Sequence, residues 1–117
     1  MRSFGAWLNK YNNALREWRI IASRIAKIVS EYGIAADIYV FGSVVKGRYT
    51  GASDIDVLII VNDDVNLQKL YRELSIILED KLGNIAYIVD LHIITKNMAK
   101  NPPYRWWLEE AIKITQT

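Results

Sequence analysis

The sequence predicts an α/β (α+β) domain in which a small mixed β-sheet carries packed helices. Three observations lead there. Helical stripes of apolar residues alternate with short β-prone runs in the order α, β, β, α, β, α. A length of 117 residues fits one domain, 1–117, and no second one. A hydrophobic fraction of 51% against 24% charged residues is enough for a packed core.

The elements follow in order. Phe4, Trp7, Leu8, Tyr11, Leu15, Trp18, Ile21, Ile25, Ile28, Val29 and Tyr32 recur at three- and four-residue steps, which predicts one long helix over about 4–32. Ser3 suits its N-cap and Gly33 a left-handed C-cap. A catalytic core over about 37–95 begins with the β-prone run Asp37–Phe41, ended by Gly42. Residues 47–53 read as a loop. Ser53–Val61 reads as a strand, alternating at first and then continuously apolar, so it enters from a wet edge into a region buried on both faces. Asn62-Asp63-Asp64 reads as a solvated turn. Leu67–Leu82 carries a leucine-rich helical stripe closed by Gly83-Asn84. Ile85–Thr95 reads as a third strand, with Val89, Leu91 and Ile93 on one face and Ile88, Asp90, His92 and Ile94 on the other. Pro102-Pro103 then introduces a C-terminal helix over about 103–115. Trp106 and Trp107 are adjacent, so one faces the core and the other the surface, where it suits a protein interface.

Composition narrows the chemistry. There is no cysteine, which excludes disulfides, thiolate zinc sites and a cysteine nucleophile. The single histidine, His92, excludes multi-histidine metal centres, so any metal site is expected to use oxygen ligands and a hard cation such as magnesium. Apolar runs such as Val57–Val61 are far too short to span a bilayer, and Met1–Asn12 lacks the apolar core of a signal peptide. A soluble cytoplasmic chain without a membrane partner is expected. A net charge of +2 does not call for nucleic acid as a partner.

Three features carry chemistry. Asp54 and Asp56, two apart in a strand, project from one face. Side by side, one of two such carboxylates has its pKa raised unless a cation neutralises the pair. If the third strand lies beside the second, Asp90 joins that face. Three carboxylates can hold two Mg²⁺ roughly 3.5–4 Å apart, the clamp used for phosphoryl and nucleotidyl transfer. An aspartate among Ile88, Val89 and Leu91 is costly unless paired or coordinated, which also favours a functional Asp90. Gly42-Ser43 supplies the anion side: glycine allows close approach to a phosphate, and a short helix starting at Ser43 would present free N–H groups. Lys46, favoured over Arg48, offers a point charge to a polyphosphate. His92 shares the Asp90 face, where a place lining the site competes with the favoured reading of a structural histidine.

Gly42-Ser43-Val44-Val45-Lys46-Gly47 followed by Ser53-Asp54-Ile55-Asp56-Val57 resembles the signature of the DNA polymerase β nucleotidyltransferase superfamily. The resemblance is strongest over Tyr39–Ile60 and extends to Asp90. The chain's size makes it similar to the minimal nucleotidyltransferases (MNT), often encoded beside a helical HEPN protein as a toxin–antitoxin pair. The resemblance implies a polymerase β palm-like nucleotidyltransferase fold. It implies that Gly42 and Ser43 hold a triphosphate, that Asp54 and Asp56 bind both metals, and that Asp90 binds the catalytic metal and helps deprotonate the acceptor. Lys46 stands where arginine is commoner, and Val44 and Val45 are bulkier than usual there, which solvent-facing side chains would tolerate. The activity implied is Mg²⁺-dependent transfer of AMP from ATP to a hydroxyl, that of a tyrosine on a HEPN toxin, making the chain an antitoxin. The rival readings are a non-catalytic antitoxin or binding module that neutralises its partner by complex formation, and nucleotidyl transfer to a small molecule. The long first helix exceeds what a small sheet can cover, which suggests a partner subunit in a homo- or hetero-oligomer.

Overall fold

In the computed structural model, residues 4–48 and 53–115 are described, with side chains from Lys10 onward. The Ser3 cap and the loop residues 49–52 lie outside that range. The elements are α1 (Phe4–Arg16), α2 (Trp18–Tyr32), β1 (Ala36–Phe41), β2 (Ile55–Val61), α3 (Leu67–Leu82), a 3₁₀ helix (Gly83–Ile88), β3 (Val89–Thr95), α4 (Lys96–Ala99), α5 (Tyr104–Glu109) and β4 (Ile112–Ile114).

The four strands form one mixed sheet in the order β3-β2-β1-β4. β1 runs antiparallel to both β2 and β4, whereas β2 and β3 are parallel neighbours joined through α3. A parallel pair requires such a crossover, because a tight turn cannot return the chain to the same end. Helices cover both faces. Under α1–α3, Ile38, Val40, Ile55, Val57, Ile59 and Leu91 meet Leu15, Ile25, Val29, Leu74 and Leu78. On the other face Phe41, Leu58, Ile60 and Ile94 pack against Met98, Tyr104 and Trp107 of α4 and α5. β2 sits between two strands and two layers of helices, which is why its second half is apolar on both faces.

Three elements differ from the sequence expectation. The first helix breaks at Glu17, whose backbone leaves helical values (φ −94°, ψ 27°) although no proline or glycine is near. Gly33 closes α2 in the left-handed conformation (φ 93°), as expected. The third strand starts at Val89, not Ile85. Ile85 and the buried Ile88 are three apart, so a 3₁₀ turn points both inward, while a strand would send them to opposite faces. The C-terminal helix stops at Glu109, and Ile112–Ile114 pairs with β1 (Ile38↔Ile114, Val40↔Ile112). The alternation Ile112, Lys113, Ile114 carries that strand: both isoleucines pack on the core, and Lys113 reaches Asp37 at 3.5 Å.

The turn at Asp63 also has a structural task. Its Oδ1 accepts from the Asn97 N–H at 3.0 Å, and the Thr95 hydroxyl accepts from the Met98 N–H at 3.3 Å, so two first-turn donors of α4 are satisfied. Trp107 packs in the α5 layer and Trp106 stays 58% exposed, the division expected of adjacent positions.

Candidate active site

The β2–β3 register builds the site. Asp56 pairs directly with Asp90, Leu58 with His92, and Ile60 with Ile94, all on the face covered by α4 and α5. In a parallel ladder, residues in register project side by side, so the two carboxylates meet. One carboxylate oxygen of each lies in the same group of ligand atoms, all within 4.8 Å of one another. Loss of solvent pushes the Asp56 carboxyl up to about 6, with the Asp90 charge and a side-chain hydrogen bond with Asp90 adding to the effect and His92 opposing it. Asp54 precedes the first residue of β2 and is exposed. Loss of solvent and the Asp90 charge also raise its carboxyl above the usual range. The Tyr11 hydroxyl donates to the Ser53 carbonyl, tying α1 to the backbone beside Asp54.

A histidine stands beside the two carboxylates. One ligand atom each from Asp56, Asp90 and His92 lies within 4.8 Å of the others, and His92 Nε2 is 3.1 Å from Asp90 Oδ2. His92 thus lies beside the acidic pair. Asp54 stands outside this tight group but within its electrostatic reach, since the Asp90 charge helps to raise the Asp54 carboxyl. The chemistry of the set fits a divalent cation. Two carboxylates held together repel each other when ionised, which a cation relieves.

Gly42 leads from β1 into the site with φ 82°. Its Cα faces Asp56: a methyl group there would sit 3.2 Å from Asp56 Cγ and would overlap Oδ2. Glycine is needed both for the backbone conformation and for the space the carboxylate occupies. Gly42→Ala is therefore expected to cost about 1–2 kcal/mol of stability through the left-handed conformation. It should cost activity more heavily, on the order of 100-fold, because the carboxylate is displaced by about an ångström. Urea midpoints and turnover on the same preparation test this; parent-like turnover would contradict it.

Residues 43–47 form a turn, so the condition of a short helix starting at Ser43 is not met. The Gly47 N–H donates to the Val44 carbonyl at 3.3 Å, and the Arg48 N–H to the Ser43 carbonyl at 3.0 Å. Among the described residues, the amides of Ser43, Val44, Val45 and Lys46 have no backbone acceptor. Val44 and Val45 do not face solvent. Val44 is buried and Val45 packs on the main core, so the two valines anchor the turn. Lys46 extends to Glu110 at 2.7 Å, and this contact holds the Glu110 carboxyl below its usual range.

Paired strand carboxylates beside a glycine turn, on a mixed sheet with helices on both faces, are the arrangement expected of a nucleotidyltransferase. Residues 22–114 match the model of the nucleotidyltransferase domain family, and the chain belongs to that family. Two relatives from Methanocaldococcus jannaschii carry the names "Putative protein adenylyltransferase MJ1217" and "Putative protein adenylyltransferase MJ0126". They are 34% and 36% identical over 96 and 97 residues, covering 82% of this chain and 92% of each relative. A crystal structure from Sulfolobus solfataricus, described as "a putative nucleotidyltransferase", shares the fold with a TM-score of 0.56 at 19% identity, over 88% of this chain and 87% of that one.

Proposed function

We propose that this nucleotidyltransferase transfers AMP from ATP to a hydroxyl of a partner protein, with Mg²⁺ or a similar divalent cation as cofactor. The single observation that carries the metal-dependent reading is the in-register meeting of Asp56 and Asp90 beside Gly42. The names of the two M. jannaschii relatives support a protein acceptor.

In this reading Asp56 and Asp90 hold the cation with Asp54 at the rim, and a pair of ions is the full complement. A bound divalent ion would neutralise the triphosphate and the charge that develops at its α-phosphorus. The turn after Gly42 offers the amides of Ser43–Lys46 and the Ser43 hydroxyl to the phosphates. Lys46 supplies a cation once a phosphate displaces Glu110. Asp90 accepts the proton of the attacking hydroxyl. The acceptor oxygen–phosphorus bond forms as the bond to pyrophosphate breaks, and the electron pair leaves with pyrophosphate.

The acceptor is a tyrosine of a HEPN-type toxin and the chain its antitoxin, acting in the cytoplasm. This assignment follows from the likeness to minimal nucleotidyltransferases. Among the described residues, no helix is long and apolar enough to cross a membrane. The exposed Trp106, close to Glu110 in sequence, suits an acceptor protein seated by α5.

Incubation with the neighbouring gene product, Mg²⁺ and ATP labelled at either the α- or the γ-phosphorus tests the reading. Label from the α-position is expected on a tyrosine of the partner, with release of pyrophosphate. Transfer of γ-label, or α-label transfer that persists in the Asp54→Asn, Asp56→Asn double variant, would refute it.

A further inference from the structure

We infer that His92 is a metal ligand whose imidazole shifts the site's preference from Mg²⁺ toward Mn²⁺ and Co²⁺. The inference rests on the metal-dependent reading above and deepens it. His92 is the chain's single histidine. It lies two residues beyond Asp90 on the same strand and therefore on the same face.

Its Nε2 lies 3.1 Å from Asp90 Oδ2, and one ligand atom each of His92, Asp90 and Asp56 lie within 4.8 Å of one another. Ligand bonds of about 2.0–2.2 Å place opposed ligand atoms at most ~4.4 Å apart, so small side-chain rotations bring all three atoms onto one ion. The ring is also held. Phe41 packs on it at 5.6 Å and Trp107 meets it edge-on at 5.1 Å, while Phe41 and Trp107 stack on each other at 4.8 Å. These contacts aim one nitrogen at the carboxylates.

Two carboxylate oxygens with one imidazole nitrogen are not a magnesium set. Mg²⁺ prefers an all-oxygen octahedron and keeps its waters, whereas imidazole suits the first-row transition ions, whose affinity rises from Mn²⁺ to Co²⁺. The competing account is that His92 only orients Asp90 by donating through Nε2–H. His92→Gln separates the two, because glutamine can still donate a hydrogen bond there but offers no imidazole nitrogen.

The chelator-stripped full-length chain would be titrated with MgCl₂, MnCl₂ and CoCl₂ by calorimetry, and bound Mn²⁺ examined by electron spin echo for nitrogen coupling. The parent is expected to bind Mn²⁺ and Co²⁺ more tightly than Mg²⁺ and to show an imidazole nitrogen signature. His92→Gln should lose that signature and roughly 10- to 100-fold in Mn²⁺ and Co²⁺ affinity, with Mg²⁺ nearly unchanged. A nitrogen signature that survives the substitution, or an equal loss for all three ions, overturns the inference and leaves the metal-dependent reading intact. Absence of binding by every ion to the parent overturns both. Should His92→Gln unfold, shown by loss of its circular dichroism, the nitrogen signature of the parent decides: its absence overturns the inference and its presence supports it.

Discussion

Asp56→Asn is expected to reduce nucleotidyl transfer by on the order of 1,000-fold while making the metal-free chain more stable at neutral pH. The activity loss follows from removing one of two charges that meet across β2 and β3, since one preorganised electrostatic contact is worth about 100- to 1,000-fold. The gain in stability follows from the same geometry with the sign worked through. The Asp56 carboxyl titrates at about 6 in the fold, against an ordinary value of 3.8. Between those values the folded chain binds more protons than the unfolded one, so stability falls as pH rises through that window and stays lower above it. An amide at this position donates to Asp90 at every pH and removes the penalty. Because Asp56 is only half-buried, solvent screens much of the effect, leaving about 1 kcal/mol. Denaturation in chelator at pH 4, 5, 6 and 7 should show the parent losing ground to Asp56→Asn across the series, and added Mn²⁺ should reverse the order. Activity within tenfold of the parent would remove Asp56 from the mechanism.

Ile59→Ala should cost about 3–4 kcal/mol, the largest loss of stability expected from a single truncation in this chain. Ile59 is fully buried at the centre of β2, flanked in register by Ile38 of β1 and Ile93 of β3, and covered by the helices of the main core. Neighbours on a strand fixed from both sides cannot collapse into the space, so the cavity persists and its lining loses contacts. A shift of the urea midpoint at unchanged slope would report it. Ile76→Ala on α3 makes the control: that side chain is 64% exposed, and its truncation should change stability by less than about 0.5 kcal/mol.

Stability and catalysis meet at β2. Odd positions from Ile55 to Val61 join the main core, while Asp56, Leu58 and Ile60 face α4 and α5. The same pleat that buries Ile59 therefore presents Asp56 beside Asp90. The acidic pair lies at the end of the strand where apolar cover gives way. An interior site would make two carboxylates far more costly.

Local sequence determined the elements whose signals need no partner. The stripe of Leu70, Leu74, Leu78 and Leu82 sets α3, and its bounds, Leu67–Leu82, agree with the periodicity because Asn66 caps the start by accepting from the Lys69 N–H. β1 and β2 are legible as β-prone runs, and Gly42 with the Asp54-Ile55-Asp56 spacing carries the family resemblance along the chain itself. Tertiary structure decided the rest. Ile112–Ile114 becomes a strand because the β1 edge offers unpaired backbone groups, a partner that no periodicity within 103–115 reveals. Ile85–Ile88 turns as a 3₁₀ helix because both isoleucines find the core that way. His92 lies beside the acidic pair because β3 lies parallel to β2 in the register that sets Asp90 against Asp56, and because Phe41 and Trp107 hold its ring. A residue's propensity and its nearest spacing are local properties, readable along the chain. Which strand edge is open, and which two carboxylates meet, depend on residues dozens of positions apart, and only packing settles them.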